Sequence, residues 1–113
     1  MNQSETSRTT TEFHILLALR DISQHGYQII KQIEQDTNGS LKLLTGTLYN
    51  AIKRLVAENL IEEVASPTSQ DSRRKYYQLT EKGKKALGLE LQRYESAVKL
   101  ISSRRFVGMG IHV

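Results

Sequence analysis

The sequence predicts a mainly α fold with one small β-hairpin, ending in a helix that carries more apolar surface than its own domain can cover. Three observations predict it. Capped segments with apolar residues at helical spacing run from Thr9 to Glu58. Two short β-prone runs, Leu60–Ala65 and Lys75–Leu79, flank a turn-rich loop. Leu87, Leu91, Tyr94, Val98 and Ile101 then recur at spacings of 4, 3, 4 and 3, an a/d seam two heptads long.

Thr9-Thr10-Thr11-Glu12 announces the first helix as a capping box, in which the cap hydroxyl and the Glu12 carboxylate each accept from the other's backbone N–H. The run from Phe13 to Arg20 is apolar on most faces, so this helix is expected to be buried and to end between Asp21 and Gln24. His25-Gly26 is expected to turn the chain. Tyr27–Glu34 gives a second helix centred inward on Ile29, Ile30 and Ile33, and Asn38-Gly39 supplies left-handed geometry to stop it.

A third helix is expected over Gly46–Glu58, with Thr45 as its cap. Leu48, Ile52 and Leu55 at i, i+4 and i+7, flanked by Ala51 and Val56, define its buried stripe. Gly46, Asn50, Lys53, Arg54 and Ala57 lie opposite, with Thr47 and Tyr49 at the borders. A face that is small, polar and basic suits a helix entering a DNA groove; a merely solvated helix more usually carries Glu and Lys pairs.

Asn59 is expected as a left-handed cap before the hairpin. Ser66–Ser72 forms the hairpin loop and holds the chain's single proline, and Arg73-Arg74-Lys75 stands at its return base. Tyr77 and Leu79 are expected to point inward and Tyr76 outward. Thr80 caps the last helix, with Glu81 in its first turn complementing the helix dipole. A shared dimer interface accounts for the seam better than packing within one chain, with Leu89, Ala97 and Leu100 as a second apolar edge toward the chain's own core. The expected division is a polar N-terminal tail over 1–8, a folded domain over 9–80, a dimerisation helix over 81–105 and a flexible tail over 106–113 with no assigned role.

Composition narrows the function. With 113 residues and no cysteine the core is thin and unstapled, and Cys-ligated zinc, iron–sulfur clusters and thiol nucleophiles are excluded. The polar start Met1–Thr11 shows no signal peptide, the longest apolar run, Ile15–Leu19, is far below the ~20 residues of a membrane span, and a cytoplasmic location is expected. Residues 41–85 hold nine Lys or Arg against five Asp or Glu, whereas residues 1–40 hold three against five. That concentration is the footprint of a polyanion-binding element. His14, His25 and His112 show no metal-ligand spacing, and no phosphate loop or nucleophile elbow occurs, so no cofactor, no metal and no enzyme activity are expected. His14 reads as a core or interface histidine.

The order helix, helix, helix, hairpin, helix is that of a winged helix-turn-helix followed by a dimerisation helix. Helix two would set helix three in the major groove while the wing brings cations to flanking phosphates or the minor groove. His25-Gly26-Tyr27-Gln28-Ile29, Gly46-Thr47-Leu48-Tyr49, Arg54-Leu55 through Asn59-Leu60-Ile61, and Arg73-Arg74-Lys75-Tyr76-Tyr77-Gln78-Leu79-Thr80-Glu81-Lys82-Gly83 resemble, in order, the signature blocks of the PadR family of bacterial transcriptional regulators. The resemblance covers about residues 12 to 103. It implies a homodimeric repressor of palindromic promoter DNA, often responsive to a small-molecule effector, in which the single C-terminal helix and the first helix build the dimer. Some relatives of this compact subgroup bind flat aromatic drugs through a tryptophan, a residue this chain lacks.

Two positions depart from the family pattern. Asn59 stands where glycine is usual, and asparagine is the next most tolerant of left-handed geometry. Asn50 stands where proline is common, and an outward Asn can pair with adenine N6 and N7. The residues expected at base edges are Thr47, Asn50 and Lys53. Tyr27, Tyr49 and Arg54 are expected on phosphates, unless the two tyrosines keep their rings in the core. Arg73, Arg74 and Lys75 form the wing clamp, and Phe13, Leu87, Leu91, Tyr94, Val98 and Ile101 the dimer interface. The alternative is a winged-helix module for protein contacts, in which the cations are incidental.

Overall fold

The computed structural model describes residues 8–68 and 73–104; the tip of the expected wing loop, most of the expected N-terminal tail and the 106–113 tail lie outside them. The elements are α1 (Thr10–Ala18), β1 (Gln24–His25), α2 (Gly26–Asp36), α3 (Thr45–Ala57), β2 (Ile61–Val64), β3 (Tyr76–Leu79) and α4 (Glu81–Ser103). This is a winged helix, mainly α with a small sheet.

The capping box forms as the sequence predicts: Glu12 N–H donates to Thr9 Oγ1 at 3.1 Å and Thr9 N–H to Glu12 Oε1 at 3.4 Å. α1 stops earlier than expected, with Leu19 as its C-cap residue. Gln24 explains the early stop, since its Nε2 donates to Ala18 O at 2.6 Å and satisfies a carbonyl that another helical turn would have used.

His25-Gly26 is more than a turn. Gln24 and His25 pair antiparallel with Tyr77 and Tyr76, so the expected hairpin is a three-stranded sheet of order β1-β3-β2. His25 is also the N-cap of α2: Gln28 N–H donates to its Nδ1 at 3.3 Å, and His25 N–H donates to Gln28 Oε1 at 3.1 Å. α3 begins one residue before expectation, with Leu44 as its N-cap and Thr45 already helical. Asn38 (φ 52°), Gly39 (φ 80°) and Asn59 (φ 63°) adopt the left-handed geometry assigned to them.

The core gathers Ile15 and Leu16 of α1, Ile29 and Ile33 of α2, Leu48, Ile52 and Leu55 of α3, and Leu60, Ile61, Tyr77 and Leu79 of the sheet. Val56, expected beside the α3 stripe, is 42% exposed. Tyr76 is half-buried, its ring 5.2 Å from the His25 ring in an edge-on contact.

α4 divides the predicted seam in two. Leu87 is 3% exposed inside the chain's own core, which corrects its assignment to a dimer interface, and Leu91 is half-buried against the same core. Tyr94, Val98 and Ile101 follow on the same stripe but are 48%, 61% and 50% exposed, because the helix has run past its domain. The second edge is also corrected: Leu89 and Leu100, at ~100° per residue, fall opposite Leu87 and stay exposed.

The start of α4 is pinned. Thr80 Oγ1 donates to Asn59 O at 2.7 Å and accepts from Gly83 N–H at 2.9 Å, while Thr80 N–H donates to Leu60 O at 3.0 Å. Gly83 lies so close to the backbone just before β2 that a Cβ on it would sit 1.9 Å from Leu60 O, whereas one on Gly88 would meet nothing within 4 Å. Gly83→Ala should therefore lower the unfolding free energy by at least ~1–3 kcal/mol, and Gly88→Ala should raise it by up to about 1 kcal/mol. Urea denaturation measures both, and an unchanged midpoint for Gly83→Ala would contradict the close seating of α4.

Candidate nucleic-acid interface

α3 turns two unlike faces in opposite directions. Leu48, Ala51 and Leu55 are 0% exposed and Ile52 2%, whereas Thr47, Asn50, Lys53 and Arg54 are all exposed. Asn50 and Lys53 flank the outward centre and Arg54 and Thr47 lie toward one border, so the surface is continuous over nearly two turns.

The approach of α2 to α3 depends on Gly26. A Cβ there would lie 2.2 Å from Tyr49 Oη and 3.3 Å from Leu48 Cδ2, so the Tyr49 phenol rests on the first turn of α2. Tyr49 keeps 40% of its surface exposed beside that contact. Tyr27 is 64% exposed, with Lys31 Nζ 5.7 Å from its ring centroid. The alternative in which the Tyr27 ring is buried in the core is thereby corrected: the α2 start presents an outward aromatic ring carrying a cation.

The wing base meets the same region through His25. Arg74 Nη1 lies 2.8 Å from His25 Nε2, and the His25 ring is stacked 6.5 Å from that of Tyr27. Arg73, Arg74 and Lys75 are exposed. Behind them Tyr77 is buried, and its phenol is held above the ordinary tyrosine range, first by that burial and then by the negative charge of Glu63. Tyr27, Tyr49, Thr47, Asn50, Lys53 and the wing cations thus belong to α2, α3 and the wing, three elements joined through Gly26 and His25.

Arg54 is less free than the sequence suggests. Its Nε donates to Glu12 Oε2 at 3.3 Å, so part of its charge is engaged with α1 while 55% of the side chain remains exposed. A group of charges that sequence reading missed surrounds this pair. Glu12 and Glu90 are 7% and 5% exposed, and Arg8, assigned to the polar tail, has only 14% of its side chain exposed. The one signal in the sequence was Glu90 itself, a carboxylate three residues after Leu87 on an otherwise apolar stripe. Among the described residues no group of His, Asp or Glu could hold a metal ion, and no helix is long and apolar enough to cross a membrane.

Residues 15–89 match the transcriptional regulator PadR-like family, a stretch running from α1 into α4 and taking in every candidate DNA contact. The chain belongs to this family. It is 32% identical to a PadR family transcription regulator from a hypervirulent Clostridium difficile, covering 84% of this chain and 97% of that one with a TM-score of 0.72. A transcriptional regulator from Clostridium thermocellum is 29% identical, with coverage of 86% and 89% and a TM-score of 0.69. An uncharacterized protein of Lysinibacillus sphaericus is 33% identical over 101 residues, which is 89% of this chain and 92% of that protein. PadR-like proteins regulate transcription rather than catalyse reactions, and DNA is the partner that follows for the present chain. The match ends at Leu89, so Tyr94, Val98 and Ile101 lie beyond it.

Proposed function

We propose that this PadR-like regulator acts in the cytoplasm as a homodimeric repressor of a palindromic promoter site. Thr47, Asn50 and Lys53 meet base edges in the major groove. Tyr27 and Tyr49 hold phosphates through their hydroxyls, Arg54 supplies whatever charge its pair with Glu12 leaves over, and Arg73, Arg74 and Lys75 clamp the flanking backbone. The observation that carries this reading is the uninterrupted polar and basic face of α3, set against a stripe that is buried to within 2%.

The dimer is supported by a different observation. Beyond Leu91 the apolar stripe of α4 stays about half exposed or more at Tyr94, Val98 and Ile101, and the Phe13 ring of α1 stands 4.8 Å from that of Tyr94, extending the stripe across two helices. Phe13, Leu91, Tyr94, Val98 and Ile101 then form the shared surface, with Leu87 as the core residue that anchors its inner end. A second copy covering it places two α3 helices about one DNA turn apart, ~34–36 Å. Occupying a promoter this way excludes other proteins from it, and a small-molecule effector that altered the separation of the two helices would relieve the block. With no tryptophan in the chain, such an effector is held by other side chains.

Salt dependence tests the DNA reading. The logarithm of the association constant for duplex DNA should fall with log salt at about −0.9 per phosphate neutralised, and Arg73→Ala with Arg74→Ala should flatten the slope by about 0.9 for each phosphate no longer neutralised. A slope near zero in the unmodified protein would favour a protein-contact module, and an unchanged slope in the variant would remove the wing from the interface. For the dimer, Val98→Asp should halve the mass measured in solution by light scattering; a mass that stays that of two chains would contradict the proposed seam.

A further inference from the structure

Arg8 is the residue of this chain whose placement the DNA-binding surface does not explain. Its side chain is only 14% exposed, so it is not offered to phosphates. Its Nη1 donates to Glu58 Oε1 at 2.6 Å and lies 4.0 Å from Glu12 Oε1, and its backbone N–H donates to Glu90 Oε1 at 3.4 Å. Glu58 is the C-cap residue of α3, Glu12 belongs to α1, and Glu90 lies midway along α4. One arginine therefore joins the end of the recognition helix to the middle of the helix that carries the seam.

Electrostatics makes the join firm. A carboxylate as buried as Glu12 is costly without a cation, and it has two within reach, Arg8 and Arg54, the latter with 55% of its side chain exposed. Glu90 pairs with Arg93, 53% exposed, and takes from Arg8 only the backbone N–H. Arg8 is the buried one. Its position along α4 matters as much as its charge. The start of α4 is already fixed to the α3 side of the fold by Thr80 on Asn59 and by Gly83 on Leu60. Leu87 and Leu91 then seat the helix on apolar contacts, and Glu90 between them adds a directional polar tie to Arg8.

We propose that Arg8 is a positioning residue: by holding Glu58 through its guanidinium and Glu90 through its backbone N–H it ties α3 to α4 as one rigid unit, and so sets the distance between the two reading helices of the dimer. This rests on the homodimeric reading above. The rigid unit translates into DNA as a preference for one spacing between half-sites, because inserting or removing a base pair shifts the halves by about 3.4 Å along the axis.

The test uses the full chain and a duplex site obtained by selection from randomised DNA, with versions carrying one base pair more and one fewer between the half-sites. The unmodified protein should prefer its own spacing by about tenfold or more, within the range typical of coupled sites. Arg8→Gln should reduce that preference at least severalfold while leaving the dimer mass, the salt slope and the affinity for an isolated half-site unchanged. Arg8→Lys should restore part of it. Glu58→Gln, at a side chain 40% exposed and safe for folding, should reproduce the loss, and the double variant should add little to either single change. A spacing preference that survives both Arg8→Gln and Glu58→Gln would overturn the proposal, as would an equal loss on the isolated half-site. An unmodified protein that is monomeric, or indifferent to spacing, would instead overturn the homodimeric reading beneath it.

Discussion

The outward face of α3 is available to DNA only because the inward face is wholly committed. Leu48, Ala51, Ile52 and Leu55 fill the space between α1, α2 and the sheet, and the burial of a large aliphatic side chain contributes about 1.5–3 kcal/mol. That commitment leaves α3 no rotation about its axis: a turn of one residue position would lift Leu48 into water and bring Thr47 or Asn50 into the core without a hydrogen-bonding partner. Gly26 tightens the constraint by letting the Tyr49 ring lie on the first turn of α2. Recognition therefore begins as a packing problem, and the polar residues are the part of the helix that packing does not use.

The same economy governs α4. Its first turns are core, through Gly83 against Leu60 and Leu87 among the buried residues, and its later turns are an apolar surface that stays largely exposed, with Tyr94 touching its own chain at Phe13. A single periodic stripe thus changes role partway along, between Leu91 and Tyr94. The charges around Arg8 lie at that point, where α1, the end of α3 and α4 converge. Buried ion pairs add little net stability once desolvation is counted, but they penalise any arrangement that separates them. They are suited to fixing geometry rather than strengthening it.

Much of this was legible in the sequence because it is local. The Thr9 and Glu12 capping box, the left-handed Asn38, Gly39 and Asn59, and the stripe of α3 are each decided within a few residues, and they stand where the pattern places them. What the sequence did not reveal is non-local. β1 exists because Gln24 and His25 meet Tyr77 and Tyr76 across about fifty residues, and nothing in a Gln-His pair signals a strand. Heptad spacing treats Leu87 and Val98 alike, since a partner chain and the domain's own core demand the same apolar residues. Arg8 read as tail because two of the three carboxylates around it, Glu58 and Glu90, lie 50 and 82 residues away.

The central claim is that the face of α3 reads bases, and Asn50 is the residue at which this is most sharply exposed to test. Binding of the unmodified protein and of Asn50→Ala should be measured on the selected site and on every single-base variant of one half-site. The account predicts that discrimination falls by about 1–3 kcal/mol at one base pair of that half-site, with other positions and non-specific duplex unaffected. A loss spread evenly over all positions, or none anywhere, would contradict it.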